Sequence, residues 1–426
     1  MIRFKNGLVM DMNTAVTVEK KEVWTEGDRI AFVGVPTDEQ LKSAAFEREI
    51  DLNGGLLMPS FKNAHTHSAM TFLRSYADDL PLQAWLFDQV FPMEAKLTGE
   101  DVYWFTKLAI LEYLSSGMTA SFDMYFELDD YFKANVESGF RTVMCGAVSG
   151  GAENAHRLEE NYLKFNGAHP LVSYRLGFHA EYTAEHGLLE AIADLAKKYK
   201  APVCTHMSET RKEVADCVEK YGMTPPALFS SMGLLDYGGT GFHCVHFTDE
   251  DIEIFKAHGA CAVTCPGSNS KLASGIAPLT KIIDRGITLG VGTDGAASNN
   301  CLDMFREMFL MTALQKIKLE DASALPADRV LMAATRGSAL AMGLSDCDCI
   351  AEGKQADLTV IDLDRPNMRP FNNLPKNLVY SGSKQNVKLT MCAGRVLYEN
   401  GRFQIGEDEA RIYARCEELA EDLKRR

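Results

Sequence analysis

From Leu56 onward the chain alternates short apolar runs with stretches of helical periodicity, and this rhythm limits its fold more than any other feature. The apolar runs fall at 56–63, 118–124, 141–148, 174–179, 202–206, 241–246, 261–265 and 287–292. Helical stretches lie between them, among them 98–116, 185–199, 209–221 and 249–258. Thr98 and Thr248 each stand three residues before an aspartate (Asp101, Asp251), a capping-box variant placed to open a helix. Apolar strands alternating with helices make a parallel sheet covered by helices, and eight such units fit a (β/α)8 barrel. An open doubly wound sheet fits the alternation nearly as well. Strand counting leaves both standing.

The two ends of the chain read differently. Val23-Trp24-Thr25 and Ile30-Ala31-Phe32-Val33 flank Glu26-Gly27-Asp28-Arg29, a hairpin signal with glycine at the bend. Past Met342, strands return at 356–361, 387–391 and 395–398. Because these β-rich ends bracket the barrel, we expect them to pair. The expected division is a small β-sandwich domain from 1–57 and 350–405, a barrel over 58–349, and a final helix over 406–426.

Composition narrows the function. The 44 basic and 59 acidic residues give a net charge of −15, a field that repels nucleic acid and phosphate-rich partners. No run approaches the ~18 unbroken apolar residues of a membrane span. The N-terminal residues alternate apolar and polar, which leaves no room for the apolar core of a signal peptide. Eleven cysteines, an odd number scattered from Cys145 to Cys416, fit reduced thiols of the cytoplasm better than a disulfide framework. The expectation is a cytoplasmic enzyme of small, uncharged or weakly charged molecules, either monomeric or a homo-oligomer, that binds neither nucleic acid nor membrane.

The histidines locate the chemistry. His65 and His67 follow the first barrel strand, and residues i and i+2 of an extended segment face the same side, so both imidazoles can meet one metal. His206 ends the fifth strand, His243 lies on the sixth, and Asp294 ends the eighth. Strand C-termini form the active-site face of a barrel, so these five residues converge from four strands. Three imidazoles and a carboxylate suit Zn²⁺ or a similar borderline ion and leave room for water. Glu209, three residues after His206, stands where it can shuttle a proton beside the ion or serve only as an acidic helix N-terminus.

The order HxH, HxxE, His and Thr293-Asp294-Gly295-Ala296-Ala297-Ser298-Asn299-Asn300 resembles the amidohydrolase superfamily, specifically its methylthioadenosine/S-adenosylhomocysteine deaminase branch. The likeness runs over nearly the whole chain. It includes Met58-Pro59-Ser60-Phe61-Lys62-Asn63-Ala64-His65-Thr66-His67, Leu73-Arg74-Ser75-Tyr76-Ala77-Asp78-Asp79, Trp85-Leu86, Pro92-Met93-Glu94 and Gly353-Lys354-Gln355-Ala356-Asp357-Leu358. The resemblance implies a (β/α)8 barrel with a β-sandwich built from both termini. It implies His65, His67, His206 and Asp294 as ligands of one divalent ion per chain, with Zn²⁺ expected first and Fe²⁺ or Mn²⁺ as alternatives. Relatives with two ions bridge them with a modified lysine from the fourth strand, and none stands at 173–179 here.

The same resemblance implies Glu209 and His243 as proton-handling residues, with Asp294 able to accept a water proton. Trp85, Glu94, Arg157 and His179 would line the substrate pocket together with Glu209 and Asp294, with Glu94 and His179 facing ribose hydroxyls. Two departures bear on substrate choice. Cys145 stands where the family's pattern has an arginine, and Glu181 adds negative charge near the mouth. The implied activity is metal-dependent hydrolytic deamination of an adenine nucleoside: 5′-methylthioadenosine, 5′-deoxyadenosine, adenosine or S-adenosylhomocysteine. Another aminopurine, a pterin or a triazine ring is the alternative substrate class, and a catalytically silent barrel scaffold is the non-enzymatic one.

Overall fold

The computed structural model describes residues 1–426. Eight parallel strands form one sheet in chain order: β1 Phe61–Thr66, β2 Met118–Met124, β3 Arg141–Cys145, β4 Val172–Ala180, β5 Val203–Met207, β6 Gly239–His243, β7 Cys261–Thr264 and β8 Leu289–Val291. The sheet closes on itself between β8 and β1. The Asp294 N–H donates to the His65 carbonyl at 3.0 Å, and the Thr293 N–H to Asn63 Oδ1 at 2.8 Å. Gly292 makes that seam feasible, because a Cβ there would sit 2.6 Å from the His65 carbonyl oxygen. The barrel therefore prevails over the open sheet.

Both capping boxes form as expected, opening the helices Gly99–Ser115 and Asp249–Ala257. One boundary differs from the sequence reading. The first apolar run is two strands: Leu56–Pro59 pairs antiparallel with Leu358–Ile361 in a separate sheet, and only Phe61–Thr66 enters the barrel. Both halves are buried throughout, so hydropathy shows no break. The joint is Ser60, whose N–H donates to the Asp357 carbonyl at 3.0 Å.

That second sheet runs Arg402–Phe403, Arg395–Glu399, Val387–Cys392, Leu358–Ile361, Leu56–Pro59, Leu8–Met10 and Val18–Glu19. A four-stranded sheet of Arg29–Gly34, Glu22–Glu26, Ile2–Lys5 and Arg48–Asp51 shares its apolar interior, in which Phe4, Val23 and Ile30 meet Leu57, Leu358 and Leu389. A helix over Glu409–Arg425 follows, burying Ile412, Cys416, Leu419 and Leu423 on one side.

The sheets and the barrel floor are tied by a fully buried ion cluster. Arg141 on β3 contacts Asp357 through Nη2 at 2.9 Å and Nε at 3.1 Å, and Lys62 on β1 lies 3.5 Å away. Asp357 also accepts from Thr119 Oγ1 at 3.0 Å and the Ala393 N–H at 2.8 Å. Burial opposes the Asp357 charge, but Arg141 and Lys62 outweigh it and hold the carboxyl well below its ordinary value. The stabilisation is therefore full above pH ~4, the unfolded value, and is lost as pH falls toward the folded one.

Asp357→Asn would leave two buried cations unbalanced, and we expect unfolding in urea at neutral pH to become easier by about 3–5 kcal/mol. A change within about 1 kcal/mol would mean the cluster carries no net stabilisation.

Candidate active site

The strand C-termini deliver five ligand-capable side chains to one point. Atoms of His65, His67 and Asp294 lie within 4.8 Å of one another, and so do those of His65, His206 and His243. His65 belongs to both sets. Its imidazole is fully buried, yet neither ring nitrogen has a hydrogen-bond partner. An unpaired buried polar atom costs about 1–3 kcal/mol, and a coordinated cation supplies the missing partner. The donor set of imidazoles and carboxylate fits a borderline divalent ion.

The surrounding contacts orient these groups. His67 Nδ1–H donates to the Met124 carbonyl at 2.7 Å and His206 Nδ1–H to the His179 carbonyl at 2.6 Å. A carbonyl only accepts, so both rings carry the proton on Nδ1 and turn Nε2 toward the centre, where the Asp294 carboxylate outweighs burial and raises His67 to about 9. Burial pushes His65 and His206 well down, which keeps them in the neutral form that binds metal. Asp294 Oδ1 lies 3.3 Å from His67 Nε2 and 3.7 Å from His65 Nε2. His243 and Asp294 both have left-handed backbones, with φ of 70° and 58°. Non-glycine residues hold this conformation at a cost of about 1–2 kcal/mol each, here where the strands turn out into the site.

Above the donors lies a cavity of about 680 Å³, within the size range of small-molecule sites. Trp85, Glu94, His179, Glu209, His243 and Asp294 line it, so most of the sequence-predicted set meets in one place. Glu209 is no helix-end residue. The helix begins two positions later, at Arg211–Tyr221, and is capped by Thr210 and Glu213. The Glu209 carboxylate instead accepts from Ser274 Oγ at 3.0 Å and lies 3.9 Å from His243 Nε2. Across the cavity, burial pushes Glu94 up to about 7, and its Oε1 and the Tyr125 hydroxyl are buried without partners. Burial also lowers His179 to about 4, so it is neutral at physiological pH.

Two expected pocket features lie elsewhere. Arg157 is exposed on the helix Asn154–Phe165 and does not line the cavity, because Ala155 and Leu158 occupy the buried face and helical phase turns Arg157 outward. Glu181 is buried and off the cavity wall. The negative charge near the mouth comes from Glu127, an exposed lining residue that the sequence reading passed over. Cys145 is packed inside the barrel with Cys204, while Ala147 and Ser149 face the cavity. No lysine or arginine lines it.

The model of the amidohydrolase family matches residues 56–397. The chain belongs to this family. It is 40% identical over 378 residues to a 5-methylthioadenosine/S-adenosylhomocysteine deaminase of Pelotomaculum thermopropionicum, covering 88% of this chain and 87% of that one. A deaminase of the same description from Caldanaerobacter subterraneus is 37% identical over 429 residues, covering 99% and 98%. In three dimensions this amidohydrolase is similar to an adenosine deaminase from Xanthomonas campestris with bound zinc, at a TM-score of 0.95 and 32% identity over 100% and 99% of the two chains. A zinc-complexed atrazine chlorohydrolase of Arthrobacter aurescens shares the fold at a TM-score of 0.90 and 23% identity, covering 99% and 100%.

Because a cation bound only by the folded donor cluster stabilises the fold, dialysis of the purified protein against a chelator should lower its melting temperature, and added zinc should restore it. An unchanged melting curve with no divalent metal released would contradict the assignment.

Proposed function

We propose that this amidohydrolase is a zinc-dependent deaminase that hydrolyses the C6 amino group of adenine nucleosides, forming the inosine analogue and ammonia. The observation that carries the reading is the layout of one cavity. Its floor holds the donor cluster and Glu209, and its wall holds Glu94 and Tyr125, two polar groups buried beside each other. Between them lie apolar side chains suited to a flat base, Trp85, Leu86 and Phe91.

In this reading His65, His67, His206 and Asp294 hold one ion; β4 carries no lysine to bridge a second. The bound ion supplies Lewis acidity that lowers the pKa of water from 15.7 toward ~7. Asp294 takes a proton from the attacking water. Glu209 gives a proton to the ring nitrogen, which makes C6 electrophilic, and recovers one from the hydroxyl formed at C6, while Asp294 passes the water proton to the amino group, which leaves as ammonia. His243, its Nδ1–H given to Asn269, hydrogen-bonds through Nε2 to the oxygen that adds at C6. Glu94 and His179 receive the ribose hydroxyls, a role with no counterpart in a pterin or triazine substrate. Eleven free thiols suit a reducing compartment, and we place the enzyme in the cytoplasm.

The cavity rim decides the 5′-substituent. S-adenosylhomocysteine carries a carboxylate on its tail, and the lining offers it Glu127 but no cation. A missing charged hydrogen bond is worth about 1.5–3 kcal/mol, roughly ten- to hundredfold in specificity. In a competition assay at equal concentrations, 5′-deoxyadenosine and 5′-methylthioadenosine should show higher kcat/KM than S-adenosylhomocysteine, and adenosine phosphates should react poorly. A clear preference for S-adenosylhomocysteine would refute the argument.

A further inference from the structure

The segment after β7, a short helix over Pro266–Lys271 and the turn that follows it, reaches all three residues that handle protons in the proposed reaction. Ser268 Oγ donates to Asp294 Oδ2 at 2.6 Å. The next residue, Asn269, accepts the His243 Nδ1–H at 2.8 Å through Oδ1. Five residues further on, Ser274 Oγ donates to Glu209 Oε1 at 3.0 Å. All three are buried. Side chains that only fill space have no reason to meet three reacting groups from one short segment.

The segment is also held at its start, middle and end. The Gly267 N–H donates to Glu307 Oε2 at 2.7 Å, and a Cβ at Gly267 would sit 2.4 Å from Glu307 Oε1, so a larger residue would push that carboxylate aside. Lys271 Nζ bonds Asp78 Oδ1 at 2.5 Å and the Ala297 carbonyl at 3.1 Å. The Ser274 carbonyl accepts from His246 Nε2 at 2.8 Å, and its N–H donates to the Asn269 carbonyl at 2.9 Å. Glu209, by contrast, sits in a loop outside any helix or strand. Its backbone N–H is held by Glu213 at 2.7 Å, while its carboxylate is held by Ser274.

The geometry points to segment 266–274 as an orienting arm, in which Ser274 and Asn269 are positioning residues for Glu209 and His243, and Ser268, together with Ser298 on the same oxygen, holds the carboxylate of Asp294. None of the three need touch the substrate. They act by holding other groups in productive geometry before the reaction, where small displacements are costly in rate. The activity part of this inference rests on the deaminase reading above.

The experiment uses the zinc-loaded full chain with 5′-methylthioadenosine and 5′-deoxyadenosine. Ser274→Ala should lower kcat about tenfold with KM little changed, and Ser274→Thr should recover most of the loss. Glu209→Gln alone should lose ~10²-fold or more. Adding Ser274→Ala to Glu209→Gln should cost less than about a further twofold, because the serine acts through that carboxylate. Asn269→Ala should behave in the same way against His243→Gln. Independently of turnover, Ser268→Ala should weaken zinc affinity about tenfold in a chelator competition while the fold persists by circular dichroism.

Wild-type turnover in Ser274→Ala, losses that multiply in full with Glu209→Gln, or wild-type zinc affinity in Ser268→Ala would each overturn the arm. If the wild type deaminates no adenine nucleoside, the deaminase reading fails by itself, and the zinc affinity of Ser268→Ala still decides the arm.

Discussion

Burying His65, with both ring nitrogens unpaired, beside three further imidazoles and Asp294 is the constraint on which the active end of this protein depends. No lysine or arginine lines the cavity above them, so the chain itself offers no cation there. The opposite end of the barrel shows the contrast. There Asp357 is matched by Arg141 and Lys62 and satisfied by further hydrogen bonds, a finished structural cluster. At the active end the donors are aimed and held, and their chemistry fits a divalent ion. Closure of the barrel serves this end, since the bond that joins β8 to β1 runs between the backbones of Asp294 and His65.

Much of this was legible in the sequence. Alternating apolar and helical runs carry the barrel, because each strand of a covered parallel sheet is apolar throughout. The i, i+2 spacing of His65 and His67 and the strand-end positions of His206, His243 and Asp294 follow from strand geometry alone. Hydropathy failed at Ser60, where two buried strands of different sheets abut without a polar break. The family resemblance put Arg157 in the pocket, but its placement turns on the phase of one helix, which faces it outward. Ser268, Asn269 and Ser274 carry no periodic signal. Small polar side chains on one short helix and the turn after it acquire meaning only from what they touch in three dimensions.

Charge unites the site with its substrate. The acidic groups Glu94, Glu127, Glu209 and Asp294 all face the cavity. A divalent ion held by the donor cluster would offset part of that charge at the floor, and burial raises Glu94 to about 7, so that it exchanges between donor and acceptor near neutral pH. An uncharged nucleoside enters such a field without electrostatic penalty, whereas an anionic tail meets Glu127 at the rim. In the proposed function, reaction and selectivity draw on the same absence of protein cations.

The central claim is hydrolytic removal of the adenine amino group, and the most direct measurement is product mass in heavy-oxygen water. The zinc-loaded enzyme should convert an adenine nucleoside to its inosine analogue carrying one heavy oxygen, with ammonia released in equal amount. Release of free adenine, or no ammonia from any adenine nucleoside, would contradict the account.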